Sequence, residues 1–107
     1  MTFDELLQRA LAVRTLYAEF ERRNYGSQWT TEELALGLVG DVGDLAKLIL
    51  AREGRRHIPD APEKLAHELA DCLWALMVLA RACDVDLEQA FLHTMADLEQ
   101  YLGRTTS

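Results

Sequence analysis

A helix-start signature recurs four times in 107 residues, as Thr2 with Glu5, Thr30 with Glu33, Asp60 with Glu63, and Asp86 with Gln89. In each, the first side chain can accept a hydrogen bond from the backbone three residues ahead, and the acid or amide there can reach back. In the first segment Leu6, Leu7, Ala10, Val13, Leu16 and Phe20 follow at helical spacing as far as Asn24-Tyr25-Gly26. The second helix is expected from Thr30 to Gly54, the third from Asp60 to about Cys83, and the fourth from Asp86 to a close at Gly103. Between the middle two lies the one clear linker, GRRHIPDAP (54–62), containing Pro59 and Pro62. No segment alternates with period two. The spacing predicts an all-α chain of four helices with short connections, hence a four-helix bundle or antiparallel hairpins. Its length suits one domain over 1–107, and the final Thr-Thr-Ser is expected to fray.

Half the residues are hydrophobic, which excludes a disordered chain, and no apolar run approaches the roughly 18 residues of a membrane span. The opening MTFDELLQRA lacks the basic-then-apolar layout of a secretory signal, so a cytoplasmic protein is expected. Eighteen acidic against eleven basic side chains give a net charge of −7. That argues against a nucleic-acid polymer as partner, because phosphate neutralisation needs a Lys/Arg surface. A phosphorylated small molecule remains open if a metal supplies positive charge. Cys72 and Cys83 stand eleven residues apart on one helix, about 16 Å, too far to pair and wrongly spaced for a Cys-x-x-Cys site. Both are read as buried structural thiols.

The middle helices carry the chemistry. Within 34–50 the only charged residues are Asp41, Asp44 and Lys47; within 65–80 the ionisable groups besides Cys72 are His67, Glu68 and Asp71. Asp41/Asp44 and Glu68/Asp71 are i,i+3 pairs, so each projects from one helix face. Acidic residues on a helix usually mark a solvated face, but such a face stays polar along its length. Here the Asp41 face continues through Leu34, Gly37, Leu38, Leu45 and Leu48, and the Asp71 face through Trp74, Ala75 and Val78. Four carboxylates at one level of two apolar helices must be paired, protonated or metal-bound. An all-oxygen set points to Mg²⁺, with Mn²⁺ as a substitute, rather than zinc.

Gly37, Gly40 and Gly43 recur at steps of three beside these carboxylates, where each costs about 1 kcal/mol relative to Ala. Lacking Cβ, they let a helix or ligand approach the backbone closely, or they accommodate a bulky neighbour such as Trp74. Other constellations carry less. HELAD (67–71) has Asp71 where a zinc-binding His-Glu-x-x-His would need its second His. The glycine spacing follows no strand, so it fits neither a dinucleotide fold nor a P-loop. Arg52, Arg55, Arg56 and His57 read as a solvated basic cluster, and His93 shows no partner.

Asp41-x-x-Asp44, 23 intervening residues, then Glu68-x-x-Asp71 resembles the signature of the MazG-like nucleotide pyrophosphohydrolases, an ExxE, a spacer of this order, and an ExxD. The flanking segments LALGLVGDVGDLAKL and KLAHELADCLWALMVLA are similar to that family's as well, and the resemblance spans roughly 29–92. It implies an all-α fold assembled as a homodimer or homotetramer. It also implies Mg²⁺-dependent cleavage of a nucleoside triphosphate to the monophosphate and pyrophosphate. By position Asp41, Asp44, Glu68 and Asp71 would be the metal-binding and catalytic carboxylates, and Trp29 would contact the nucleotide. This chain departs from the pattern in having Asp at both places of the first motif. It also has Lys47 where a third Glu is common, and its last helix lacks the family's usual basic residues.

In such a site charge neutralisation and positioning drive phosphoryl transfer, and a carboxylate not engaged with metal takes the proton of the attacking water. Lys47 can neutralise a phosphate oxygen or snorkel at the cleft edge. A catalytically degenerate nucleotide- or metal-binding module, or a structural helical module, would carry the same residues without the reaction. The middle helices are apolar nearly all round, so surplus faces are expected to meet another subunit.

Overall fold

Helix starts fall where the capping signatures place them. The computed structural model describes the backbone of residues 1–106 and the side chains of residues 1–103. It contains α1 (Phe3–Tyr25), α2 (Thr31–Arg52), α3 (Ala61–Ala82) and α4 (Leu87–Thr106), and no strand among the described residues. Thr2 and Thr30 each form a complete capping box, their hydroxyls accepting from Glu5 and Glu33 at 3.2 Å. Asp86 Oδ1 accepts from the Gln89 amide at 3.1 Å.

The third start differs from expectation. Asp60 sits in the left-handed region (φ 56°) and its side chain caps nothing. That backbone turns the carboxylate away from the amides it would serve, and Pro62 in the first turn supplies a preset φ with one fewer N–H to satisfy. At the other ends, Gly26, Gly54 and Asp84 take positive φ. The amides of Arg55 and Val85 then donate to Leu50 and Ala80 carbonyls at 2.9 and 2.8 Å, closing α2 and α3 as Schellman turns. Hence α2 stops at Arg52, with Gly54 lying just beyond its end. Gly103 does not close α4. Its φ is not positive, so it behaves as an ordinary helical residue and the helix runs on to Thr106. Of the tail expected to fray, Thr105 and Thr106 continue this helix, and Ser107 lies outside the described residues.

The centre of the fold is α3. It supplies Cys72, Ala75, Met77 and Val78 to the core, against Leu48 from α2 and Ala10 and Ala18 from α1. α2 and α3 pack as an antiparallel hairpin along most of their length, α1 lies across α3, and α4 touches α3 least. α1 is fastened by Trp74, whose indole N–H donates to the Ala10 carbonyl at 3.0 Å while its ring tilts against Tyr17 at 5.4 Å. The loop into α2 is held by a second clamp. Glu21 is buried and pairs with Arg14 at 3.1 Å. The same Glu21 oxygen accepts from the Trp29 amide at 2.8 Å, while Arg14 donates to the Trp29 carbonyl at 3.0 Å.

This packing leaves the chain open. Its radius of gyration is 17.1 Å, where a compact domain of this length has about 13 Å. It exposes 8091 Å², against about 6000 Å² for a folded monomer of 12.1 kDa. Leu36 and Val39 on α2 are 70% and 69% exposed, and Leu69, Leu73 and Leu76 form an exposed row on α3. No helix among the described residues is long and apolar enough to cross a membrane.

The Arg14–Glu21 clamp generates a stability prediction. Glu21→Ala leaves a largely buried guanidinium and the Trp29 amide unpaired, and should destabilise the fold by about 3 kcal/mol. Glu53→Ala removes an exposed pair to Arg52 at 2.7 Å and should cost under about 1 kcal/mol. Urea unfolding of the two variants measures the difference, and equal losses would show that the clamp contributes nothing special.

Candidate metal centre

Asp41 and Asp44 lie one turn apart on α2, and the antiparallel pairing sets Glu68 of α3 opposite them. One carboxylate oxygen from each falls within 4.8 Å of the others. Asp41 and Glu68 are half-buried and Asp44 is exposed. No other such group of possible ligands occurs among the described residues. Glu68 Oε2 is buried and has no hydrogen-bond partner. A buried carboxylate oxygen left unpaired is expensive, so this atom fits a group of carboxylates able to hold a cation.

The spacing fits one. Oxygens on a single Mg²⁺ or Ca²⁺ stand at most about 4–5 Å apart, given bonds of about 2.0–2.6 Å. Hard carboxylate donors suit such an ion, or Mn²⁺, and no thiol competes. Cys72 is buried behind the cluster, and burial followed by the charges of Asp41, Glu68 and Asp71 pushes its thiol up, keeping it protonated. Cys83, expected buried, is exposed. It caps α3 at the point where the apolar face of that helix has run out.

Both half-buried carboxyls hold their protons more tightly than usual. For Asp41 the causes are burial, then Asp71 and Asp44, partly offset by His67. For Glu68 they are burial, then Asp41, Asp71 and Asp44, again with His67 opposing. Asp71 therefore acts electrostatically on the cluster without joining its close oxygens. Its Oδ2 instead meets His67 Nε2 at 3.1 Å. That partnership was legible as an i,i+4 spacing, as was His93 with Asp97 at 3.3 Å, where no partner was expected.

The expected accessory residues lie at opposite ends of the cluster. A cleft of about 380 Å³ runs from Asp44 and Glu68 past Lys47, Lys64 and His67, backed by Leu48 and Ile58. Lys64 and Ile58 escaped the sequence reading, and His67 entered it only as part of HELAD, because the pairing of α2 with α3 is what brings them to Asp44 and Lys47. Trp29 lies the other way. A Cβ on Gly37, one turn before Asp41, would sit 3.1 Å from its ring, so Gly37 is the glycine that accommodates a tryptophan. Trp74 is not that neighbour, since it faces α1 instead. Gly40 and Gly43 have open space where a Cβ would stand. A larger cleft of about 430 Å³, bordered by Phe3, Leu7, Met77 and Leu87, opens at the far end of α3 and holds none of these carboxylates.

Residues 29–100 match the family of MazG nucleotide pyrophosphohydrolase domains. Over 89 residues, 78% of this chain, it is 39% identical to a mouse protein named dCTP pyrophosphatase 1, covering 52% of that protein. The bovine protein of that name is 39% identical with 53% of its length covered, and the human one 37% with 52%. The chain thus spans about half the length of these curated relatives. No solved structure matches it significantly.

The raised carboxyls set a sign for stability against pH. In the window between the unfolded carboxylate value, about 4, and the raised folded values, the folded state binds more protons than the unfolded one. Stability contributed by Asp41 and Glu68 therefore falls as pH rises through that window and stays lower above it. Metal-free Glu68→Gln should lose less melting temperature between pH 4 and pH 8 than the metal-free wild type. Excess Mg²⁺ should flatten the wild-type curve towards that of the variant. Parallel curves for the two metal-free proteins would remove the repulsive cluster.

Proposed function

The chain belongs to the MazG nucleotide pyrophosphohydrolase family, and on that footing we propose that it cleaves a nucleoside triphosphate to the monophosphate and pyrophosphate in a Mg²⁺-dependent reaction. The observation that carries this reading is the unpartnered Glu68 Oε2 within a three-carboxylate group. Asp41, Asp44 and Glu68 hold the ion, for which Mn²⁺ can substitute. When bound, it would supply charge neutralisation at the phosphate oxygens and acidify the attacking water. Asp71, outside the close group and oriented by His67, adds its charge to the centre and accepts the proton of the attacking water. Trp29, fixed by the Arg14–Glu21 clamp over the turn before Asp41, contacts the nucleoside end. The names of the relatives make dCTP the first substrate to try.

We also propose a homodimer or homotetramer. Each chain carries an excess of about 2000 Å² over a compact monomer, and large apolar side chains are exposed on all four helices, among them Leu36 and Val39 of α2 and Leu69, Leu73 and Leu76 of α3. That is the scale of surface that an obligate interface covers. Light scattering at micromolar concentration should give at least twice 12.1 kDa.

A nucleotide panel with separate detection of pyrophosphate and orthophosphate tests the activity. Pyrophosphate release should vanish in EDTA and return with Mg²⁺ or Mn²⁺. Glu68→Gln should lower turnover at least about a hundredfold, within the several kcal/mol that metal-assisted charge stabilisation supplies. Asp41→Glu, which restores the usual family side chain, should keep or raise turnover. Orthophosphate as the product, or full activity in Glu68→Gln, contradicts the reading. Mg²⁺ binding without cleavage of any nucleotide would identify a degenerate binder.

A further inference from the structure

The cleft beside the carboxylates has a charge order of its own. Lys47 follows Asp44 by one turn of α2, and Lys64 precedes Glu68 by one turn of α3. Because the two helices are antiparallel, both lysines lie on the same side of the carboxylate cluster, and both line the cleft. Neither has an ion-pair partner among the described residues. His67 is on the same wall, held to Asp71, and Glu63 is the one further acid there. At the opposite end stands Trp29 against Gly37. At 1.5 Å per residue, Gly37 and Lys47 are about 15 Å apart along α2, with Asp41 and Asp44 between them. Along this line the protein presents an aromatic ring, then carboxylates, then cations.

A nucleoside triphosphate has the matching order of base, α-phosphate, and then the β- and γ-phosphates, which carry most of its charge. We propose that the cleft is a pyrophosphate seat in which Lys47 and Lys64 hold the terminal phosphates and His67 forms the rim. This rests on the pyrophosphohydrolase reading and adds substrate polarity to it. Cleavage breaks the bond between the α-phosphorus and its bridging oxygen. Water oxygen bonds to the phosphorus, its proton passes to a carboxylate, and the bridging oxygen leaves with the β-phosphate. The departing pyrophosphate therefore gains a charge at the mouth of the cleft, where the two ammonium groups stand. Lysine suits this place, because a compact point charge on a flexible stem can hold a polyanion and then release it. The lysines thus take up charge that the acidic centre would otherwise repel.

The test is binding of inorganic pyrophosphate, by calorimetry in excess Mg²⁺, with orthophosphate and sulfate alongside. Pyrophosphate should bind at least tenfold more tightly than either. Lys64→Ala should weaken it at least fivefold, Lys47→Ala together with Lys64→Ala further still, and Lys64→Arg should recover most of the loss. Mn²⁺ binding, followed by its paramagnetic resonance, should stay within twofold in all of them. Unchanged pyrophosphate affinity in the double variant overturns the seat even if nucleotide cleavage is robust. Equal losses for sulfate and pyrophosphate overturn it too, by reducing the cleft to a general anion patch. Conversely, a seat confirmed by calorimetry in a protein that cleaves no nucleotide would overturn the pyrophosphohydrolase reading alone.

Discussion

Repulsion among Asp41, Asp44 and Glu68 sets the terms for the α2–α3 hairpin. With oxygens at most 4.8 Å apart, each pair costs between about 1 and 3 kcal/mol, depending on how far water screens it. The hairpin must supply at least that much from apolar contacts immediately beside the charges. It does so with Leu48 from α2 and with Cys72, Ala75 and Val78, the residues that follow Glu68 and Asp71 on the inner face of α3. The other helices serve this pair. α1 is hung on α3 by the Trp74 indole, and the α1–α2 loop is pinned by the Arg14–Glu21 pair, which also fixes where α2 begins.

Much of this was legible in the sequence because it depends on short-range chemistry. Helix starts at Thr2, Thr30 and Asp86 need only a side chain and an amide three residues away, and all three form as expected. The i,i+3 carboxylate pairs and the apolar residues around them likewise belong to single helices, so the level of the site could be read before its geometry. What could not be read depends on backbone state or on distant segments. Asp60 has the right residue type for a cap but the wrong φ. Gly103 has the right type for a stop but lies in ordinary helix. Which tryptophan fills the glycine face depends on the route of the 26–30 loop. Periodicity offered Trp74, and the structure puts Trp29 there. Lys64 and His67 drew little notice in sequence because their importance comes from facing Asp44 and Lys47 across the cleft.

Gly40 and Gly43 connect the site to the open surface. Beyond their own turn of helix nothing lies within 4 Å of where their Cβ would stand, so packing within one chain does not require them to be glycine. Each costs helix propensity that Ala would restore. They share their stretch of α2 with exposed Val39 and Val42, on the helix that also carries Asp41 and Asp44. A second chain, which would cover the excess apolar surface, is the partner able to use a bare backbone there. On that reading the same turns of α2 hold the ion with one face and receive another subunit with the other, so assembly and metal binding would stabilise one helix from both sides.

Two of the departures from the family pattern, the aspartates of the first motif and Lys47, fall on the same stretch of α2. Aspartates at 41 and 44 shorten the α2 arms by one methylene each, and across from them the longer Glu68 has its Oε2 buried and unpaired. Lys47, one turn beyond Asp44 on that same helix, replaces a negative charge common in the family with a positive one. The local balance moves by two units at the place where a polyphosphate would lie. Lys47 extends positive charge along α2 into the cleft. On the proposed reading, terminal phosphates in this cleft would meet a cation from each helix, Lys47 of α2 and Lys64 of α3.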